Sequence, residues 1–176
     1  MTVFTVGHST RGAEEFVALL RHHGVRRLAD VRTLPGSKKV PQFNKEALEP
    51  VLVEAGIAYV HLEGLGGLRK PRADSENAGW RNKSFRGYAD YMQTPEFERG
   101  LEELIDLALE RPTTIMCAEA VPWRCHRSLI ADALVVRGHE VVHVFSKTKA
   151  EPHRLTAFAR VEGTRVSYPP EQLALP

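Results

Sequence analysis

Apolar residues along the chain fall into short, β-branched runs that alternate with longer stretches at helical spacing. Val3 to Val6, Arg27 to Val31, Ala58 to Leu62, Thr113 to Met116 and Val141 to Phe145 have the composition of strands. Between them, Ala13 to His23 carries Phe16, Val17, Leu19 and Leu20 at helical positions, and Lys45 to Ala55, Phe85 to Met92, Glu96 to Leu109 and about Cys125 to Arg137 follow the same period. Asn44 and Thr94-Pro95 are helix starts, and Gly24, Gly56 and Gly138 are stops. Strands alternating with helices predict a single three-layer α/β/α domain with a mainly parallel sheet of about five strands. An α/β barrel needs more units than this length holds.

Two segments break the alternation. From Gly64 to Ser84 no period is visible and Gly, Arg, Lys and Asn dominate, which predicts a lid or binding loop. Past Ser146, Leu155 to Val161 and Arg165 to Tyr168 flank Glu162-Gly163-Thr164 and predict a β-hairpin. The expected organisation is an α/β domain over residues 1–146 and an extension over 147–176 packed on it.

Composition narrows the function classes. The 176 residues are 43% hydrophobic, enough for a core without disulfide or metal staples. Lys and Arg exceed Asp and Glu by two, 24 against 22, too few for sequence-independent nucleic-acid binding by bulk charge. No secretory signal and no apolar run of membrane-spanning length is visible, so a cytoplasmic protein without membrane association is expected. Two cysteines in that compartment are expected to be thiols. Nothing in the pattern fixes an oligomeric state.

The candidate chemistry gathers where strands end. Parallel strands deliver their carboxyl ends to one edge, the place where open α/β sheets bind ligands. That edge collects His8 and Ser9, Asp30 and Arg32, His61, and Cys117 and Glu119. The connection from Cys117 to Cys125 then leads into a helix whose first turn holds His126 and Arg127, where free N–H groups, the helix dipole and a guanidinium converge on one anion. Cys117 is the candidate nucleophile, His8 the base, and Glu119 a proton-exchanging or orienting carboxylate. Arg127 and Arg32 are the anion holders, with Asp30, Ser9, His61, Cys125, His126, Gly66, Gly67 and Tyr88 beside them. Trp123, Tyr88, Tyr91 and Phe43 are available to stack on a base or to pack. No cofactor is expected; a zinc site from His8, His61, Cys117, Cys125 or His126 is a minor alternative lacking finger spacing. The Cys-to-Arg spacing also differs from that of the phosphatase loops, with six residues before Arg124 and nine before Arg127.

Gly7-His8-Ser9, Asp30-Val31-Arg32 with Pro35 and Ser37, Tyr59-Val60-His61-Leu62 with Leu65-Gly66-Gly67, Tyr88, Tyr91-Met92, and above all Cys117-Ala118-Glu119 with Pro122 and Cys125-His126-Arg127 resemble the domain-of-unknown-function 488 (DUF488) family, over roughly Val3 to Ser146. The resemblance implies nucleotide or nucleic-acid modification, with no settled activity. The expectation is therefore an enzyme acting on a phosphate-bearing substrate. The alternatives are a nucleotide or single-stranded nucleic-acid binding module and a thiol redox protein using Cys117 and Cys125.

Overall fold

The computed structural model describes residues 1–171. Strands β1 (Thr2–Gly7), β2 (Arg27–Asp30), β3 (Ala58–His61), β4 (Thr113–Cys117) and β5 (Glu140–Val144) are joined by helices α1 (Ala13–His22), α2 (Lys45–Glu54), α3 (Lys83–Tyr91), α4 (Pro95–Glu110) and α5 (Arg127–Val135). These five strands are parallel in the order β3-β2-β4-β1-β5. A strand the sequence pattern did not announce, β6 (Ala150–Pro152), adds antiparallel to β5 and closes that edge. The expected hairpin is present as β7 (Arg160–Glu162) and β8 (Arg165–Ser167).

Alternation along the strands builds two cores. Phe16, Leu19 and Leu20 of α1 and Leu48 and Leu52 of α2 pack with Val6, Leu28 and Met116 on one face of the sheet. On the other face Val3, Ala29, Ile115 and Cys117 meet Tyr88 of α3, Phe97, Leu101 and Leu104 of α4, and Leu129 and Ile130 of α5. Every residue of β4 is buried, as a central parallel strand requires. Tyr168, beyond β8, joins the second core, so the hairpin is tied to α5.

Local details depart from expectation for definable reasons. Asn44 precedes α2, but its side-chain oxygen accepts the Ser37 N–H instead of capping the helix. Asn82, which the pattern passed over, caps α3 through the N–H groups of Ser84 and Phe85. The glycine-rich segment before α3 is pinned: buried Asp90 accepts from Arg72 N–H, Ser75 Oγ and Asn77 Nδ2, while Asn77 accepts the Tyr168 N–H. The segment expected to act as a lid, Gly64 to Ser84, is thus tied to α3 and to Tyr168 through its middle.

Candidate functional site

At the carboxyl edge a cavity of about 440 Å³ opens between β1, β2, β4 and the start of α5. His8, Arg32, Gly67, Tyr88, Cys117, Glu119, Cys125 and His126 line it, together with Thr33, Ser37, Asn82, Ser84, Phe85 and Arg124. Ser9, Asp30, His61, Gly66 and Arg127 are not in its lining; they act on the residues that are. Close approach of two strand ends makes the site possible: a Cβ on Gly7 would lie 1.7 Å from the Glu119 carbonyl oxygen, so only glycine lets β1 pass the loop after β4. The His8 and Ser9 N–H groups then bond the Cys117 and Ala118 carbonyls.

Two buried guanidiniums stand under this cavity, one on each face of the sheet. Arg32 grips Asp30 with two parallel bonds, Nε to Oδ1 at 2.9 Å and Nη2 to Oδ2 at 2.7 Å, and also donates to the Phe43 carbonyl. Tyr59 donates a further bond to Asp30, and His61 bonds the Arg32 carbonyl at 2.7 Å. The remaining Arg32 Nη1 approaches His8 Nε2 at 3.3 Å. His8 Nδ1 donates to the Ser9 carbonyl, and its ring stacks on Phe43 with centroids 4.4 Å apart. Burial, then the neighbouring Arg32 charge, lower the His8 pKa against the pull of that backbone bond, so the ring is neutral with both nitrogens engaged. His8 is a wall of the cavity here, and the free base expected of it is not available.

Arg127 is the largest departure. It is 1% exposed and lies behind the lining of the cavity: Nε donates to Cys117 Sγ at 3.0 Å, Nη1 to Thr5 Oγ1 at 3.2 Å, and Nη2 to the Glu119 carbonyl at 2.6 Å. Among the described residues no carboxylate forms an ion pair with it. Side chains in a helix lean toward its N-terminus, which carries this first-turn arginine back beneath the loop.

The thiols it faces are differentiated. Cys125 Sγ receives the Arg127 backbone N–H at 3.4 Å and lies 3.6 Å from His126 Nδ1. His126 Nε2 donates to the Val31 carbonyl at 2.8 Å, which leaves Nδ1 as the atom that exchanges a proton with the sulfur. Burial, then the neighbouring Cys125, drives the Cys117 thiol well up. Burial opposes ionisation of Cys125 as well, but the bonds from Cys117 and His126 and the His126 and Arg127 charges override it and hold this thiol well below its ordinary range. The sequence singles out Cys117 as the activated thiol; the surroundings of Cys125, with a backbone N–H and the His126 ring beside its sulfur, favour ionisation there as well.

Behind Arg127 a buried chain continues. Asp132 accepts from His153 Nε2 at 2.7 Å and from Tyr168 at 2.7 Å. His153 Nδ1 therefore accepts from His143 Nε2 at 2.9 Å, leaving His143 Nδ1 to accept the Thr5 hydroxyl at 2.7 Å. Thr5 keeps its lone pairs for Arg127. Burial, then His153 and Arg127, push His143 down to about 4, consistent with a neutral His143 ring.

Sequence reasoning missed Arg124, Asn82, Ser84 and Phe85 as lining residues. Arg124 had a signal in its position next to Cys125; the other three come from the aperiodic segment and the start of α3, which local pattern does not aim at the strand ends. Of the candidate stacking residues, Phe43 and Tyr88 are buried and Tyr91 donates to the Gly64 carbonyl beneath Arg69, whereas Trp123 is 62% exposed. Among the described residues no group of three or more His, Cys, Asp or Glu is arranged to hold a metal, and no helix is long and apolar enough to cross a membrane.

Searches of curated proteins and of solved structures each return no match. A family model, domain of unknown function DUF488, matches residues 12–134, the span from α1 to the end of α5 that includes Arg32, both cysteines and Arg127. The chain belongs to the DUF488 family.

Proposed function

We propose that the chain is an enzyme that applies the Cys117–Cys125 thiolate to a phosphate-bearing substrate of the nucleotide class. The observation that carries this is Arg127: a guanidinium held 1% exposed without a carboxylate needs a negative charge beside it, and the two sulfurs are the groups placed to supply one. In this reading Cys125 is the nucleophile, His126 Nδ1 takes its proton, and Cys117 and Arg127 hold the resulting thiolate. The cavity has the volume of a small-ligand site; Arg32 in its lining is already balanced by Asp30, and Arg124, Asn82 and Ser84, against a single lining carboxylate, Glu119, offer an anion its donors. Arg124 replaces Arg127 as the side chain that meets phosphate.

Alkylation with iodoacetamide across pH, read by mass spectrometry, tests the proposal. Cys125 is expected to react first, with a midpoint well below the ordinary thiol value of about 8.5, and nucleoside monophosphates are expected to slow it saturably. Two thiols with ordinary midpoints, indifferent to every phosphate-bearing compound, would refute it.

The placement of both buried sulfurs against Arg127 supports a second reading, a dithiol that cycles with a disulfide. A disulfide carries no charge, so oxidation leaves Arg127 uncompensated and the reduced form is favoured. The pair would then be an oxidant; failure to form an intramolecular disulfide under diamide eliminates this reading.

A further inference from the structure

A second cavity, about 530 Å³, lies on the other side of the one-turn helix Pro122–Arg124. The divider is three residues long, and its consecutive residues serve different cavities: Arg124 lines the first, Pro122 and Trp123 the second. Trp80, Trp123 and Phe145 supply aromatic walls, with the Trp123 and Phe145 centroids 6.1 Å apart, and Pro122 and Pro152 add flat apolar surface.

The floor is His143 and His153. Each of their ring nitrogens is committed to Thr5, to Asp132 or to the other histidine, so they offer ring surface and no free hydrogen-bond code. At the rim Glu151 is engaged by Lys149, whereas Arg154 has no ion pair among the described residues. A site with stacking walls, little directional readout and one available guanidinium suits a planar ring carrying a negative charge. The first cavity repeats that combination with Phe85, Tyr88 and Arg124.

We infer that the two cavities take successive nucleotides of one single strand, so that the substrate is a single-stranded nucleic acid and the second cavity stacks the base neighbouring the one presented to Cys125. This rests on the phosphate-bearing substrate proposed above and names its class. Exposed Trp123 is then the stacking platform, and the modest net charge of the chain is no obstacle, because the contacts are two guanidiniums and ring faces.

Both tryptophans of the chain line the second cavity, so intrinsic fluorescence reports on it while alkylation of Cys125 reports on the first. Tetrathymidylate or tetrauridylate is expected to quench the fluorescence, to protect Cys125, and to do so at lower concentration than the mononucleotide. Trp123→Ala is expected to weaken the tetranucleotide about tenfold to a hundredfold, the range for loss of one stacked base, and to leave protection by the mononucleotide unchanged. Equal protection by both lengths, with fluorescence and Trp123→Ala indifferent to either, overturns the inference and leaves the phosphate reading intact. Quenching while Cys125 reacts unhindered removes the phosphate reading and the shared strand with it. A proline-rich peptide that displaces the tetranucleotide from the tryptophans without affecting Cys125 would make the second cavity a peptide groove and overturn the inference as well.

Discussion

Arg32 and Arg127 are two buried guanidiniums under one cavity, on opposite faces of one sheet, and they are neutralised in different ways. Arg32 sits in a fork with Asp30, a fixed carboxylate that is itself wholly buried. The Arg127 guanidinium meets the Cys117 sulfur, a hydroxyl and a carbonyl, while its backbone N–H meets the Cys125 sulfur. Both Asp30 oxygens are bound by Arg32, so the first pair is a closed charge balance that fixes the shape of the β2 loop. A sulfur is neutral until it loses a proton, so the second arginine converts its need for a counter-charge into thiolate character. In the proposed function, reactivity belongs to the face where the balance is incomplete.

The largest expected effect comes from breaking the complete pair. Removing one partner of a buried, hydrogen-bonded ion pair leaves the other charge uncompensated, at a cost of about 3–5 kcal/mol. Asp30→Ala is expected to lower stability by that amount in urea denaturation, because Arg32, Tyr59 Oη and the Arg32 backbone N–H all lose their acceptor. A loss well under 1 kcal/mol would mean that solvent reaches Arg32 and that the two sides differ less than argued.

On the other face the same operation is expected to change chemistry more than stability. Arg127→Met keeps much of the buried stem and deletes the charge; the thiolate then loses a neighbouring buried cation, and the midpoint of Cys125 alkylation is expected to rise by about one pH unit, roughly a tenfold lower rate at neutral pH. Arg127→Lys restores charge without the fork and is expected to recover part of the shift. An unchanged midpoint in Arg127→Met would show that the helix N-terminus and His126 suffice.

The Arg127 side also carries its own pH signature. Burial among His153 and Arg127 brings His143 from 6.5 to about 4. Between those values the unfolded chain binds a proton that the folded ring refuses, so this contribution is complete above about pH 6.5 and is lost as pH falls toward 4, amounting to about 3 kcal/mol at most. Denaturation midpoints measured from pH 7 to 4 should fall through that window, and His143→Gln should flatten the slope. A stability independent of pH over this range would rule out a neutral, buried His143 at the Thr5 end of this chain.

The fold was legible because its signals are local. Period-two and period-3.6 patterns gave the five parallel strands and five helices, and the glycine at 163 marked the hairpin. The neighbourhood of the site followed from parallel strands ending together, which needs no side-chain detail. What stayed hidden was direction. Arg127 and Arg124 are three residues apart, and only the lean of a first-turn side chain and the one-turn helix before it send the first under the floor and the second into the cavity. Strand β6 is only three exposed residues, Ala150–Pro152, without apolar alternation, and is held by pairing with β5. Asp90, which fixes the aperiodic segment, did leave a trace as a carboxylate within the apolar stretch of α3, the mark of a buried polar anchor.

The smallest expected effect on stability tests where the substrate's charge lands. Arg124 is exposed, lines the first cavity and forms no ion pair among the described residues, so Arg124→Ala is expected to stay within about 0.5 kcal/mol of the parent. The midpoint of Cys125 alkylation should also stay in place, since Arg127 and His126 hold that sulfur and Arg124 has no hydrogen bond to it. Protection of Cys125 by a nucleoside monophosphate is expected to need at least tenfold more ligand, the loss typical of a charge-assisted hydrogen bond. The arginine that binds the substrate and the arginine that holds the thiolate are then separable by mutation. Protection that survives Arg124→Ala and disappears in Arg32→Lys, where a lysine retains the charge without the fork, would move the anion contact to the Asp30 side and reverse the assignment of the two faces.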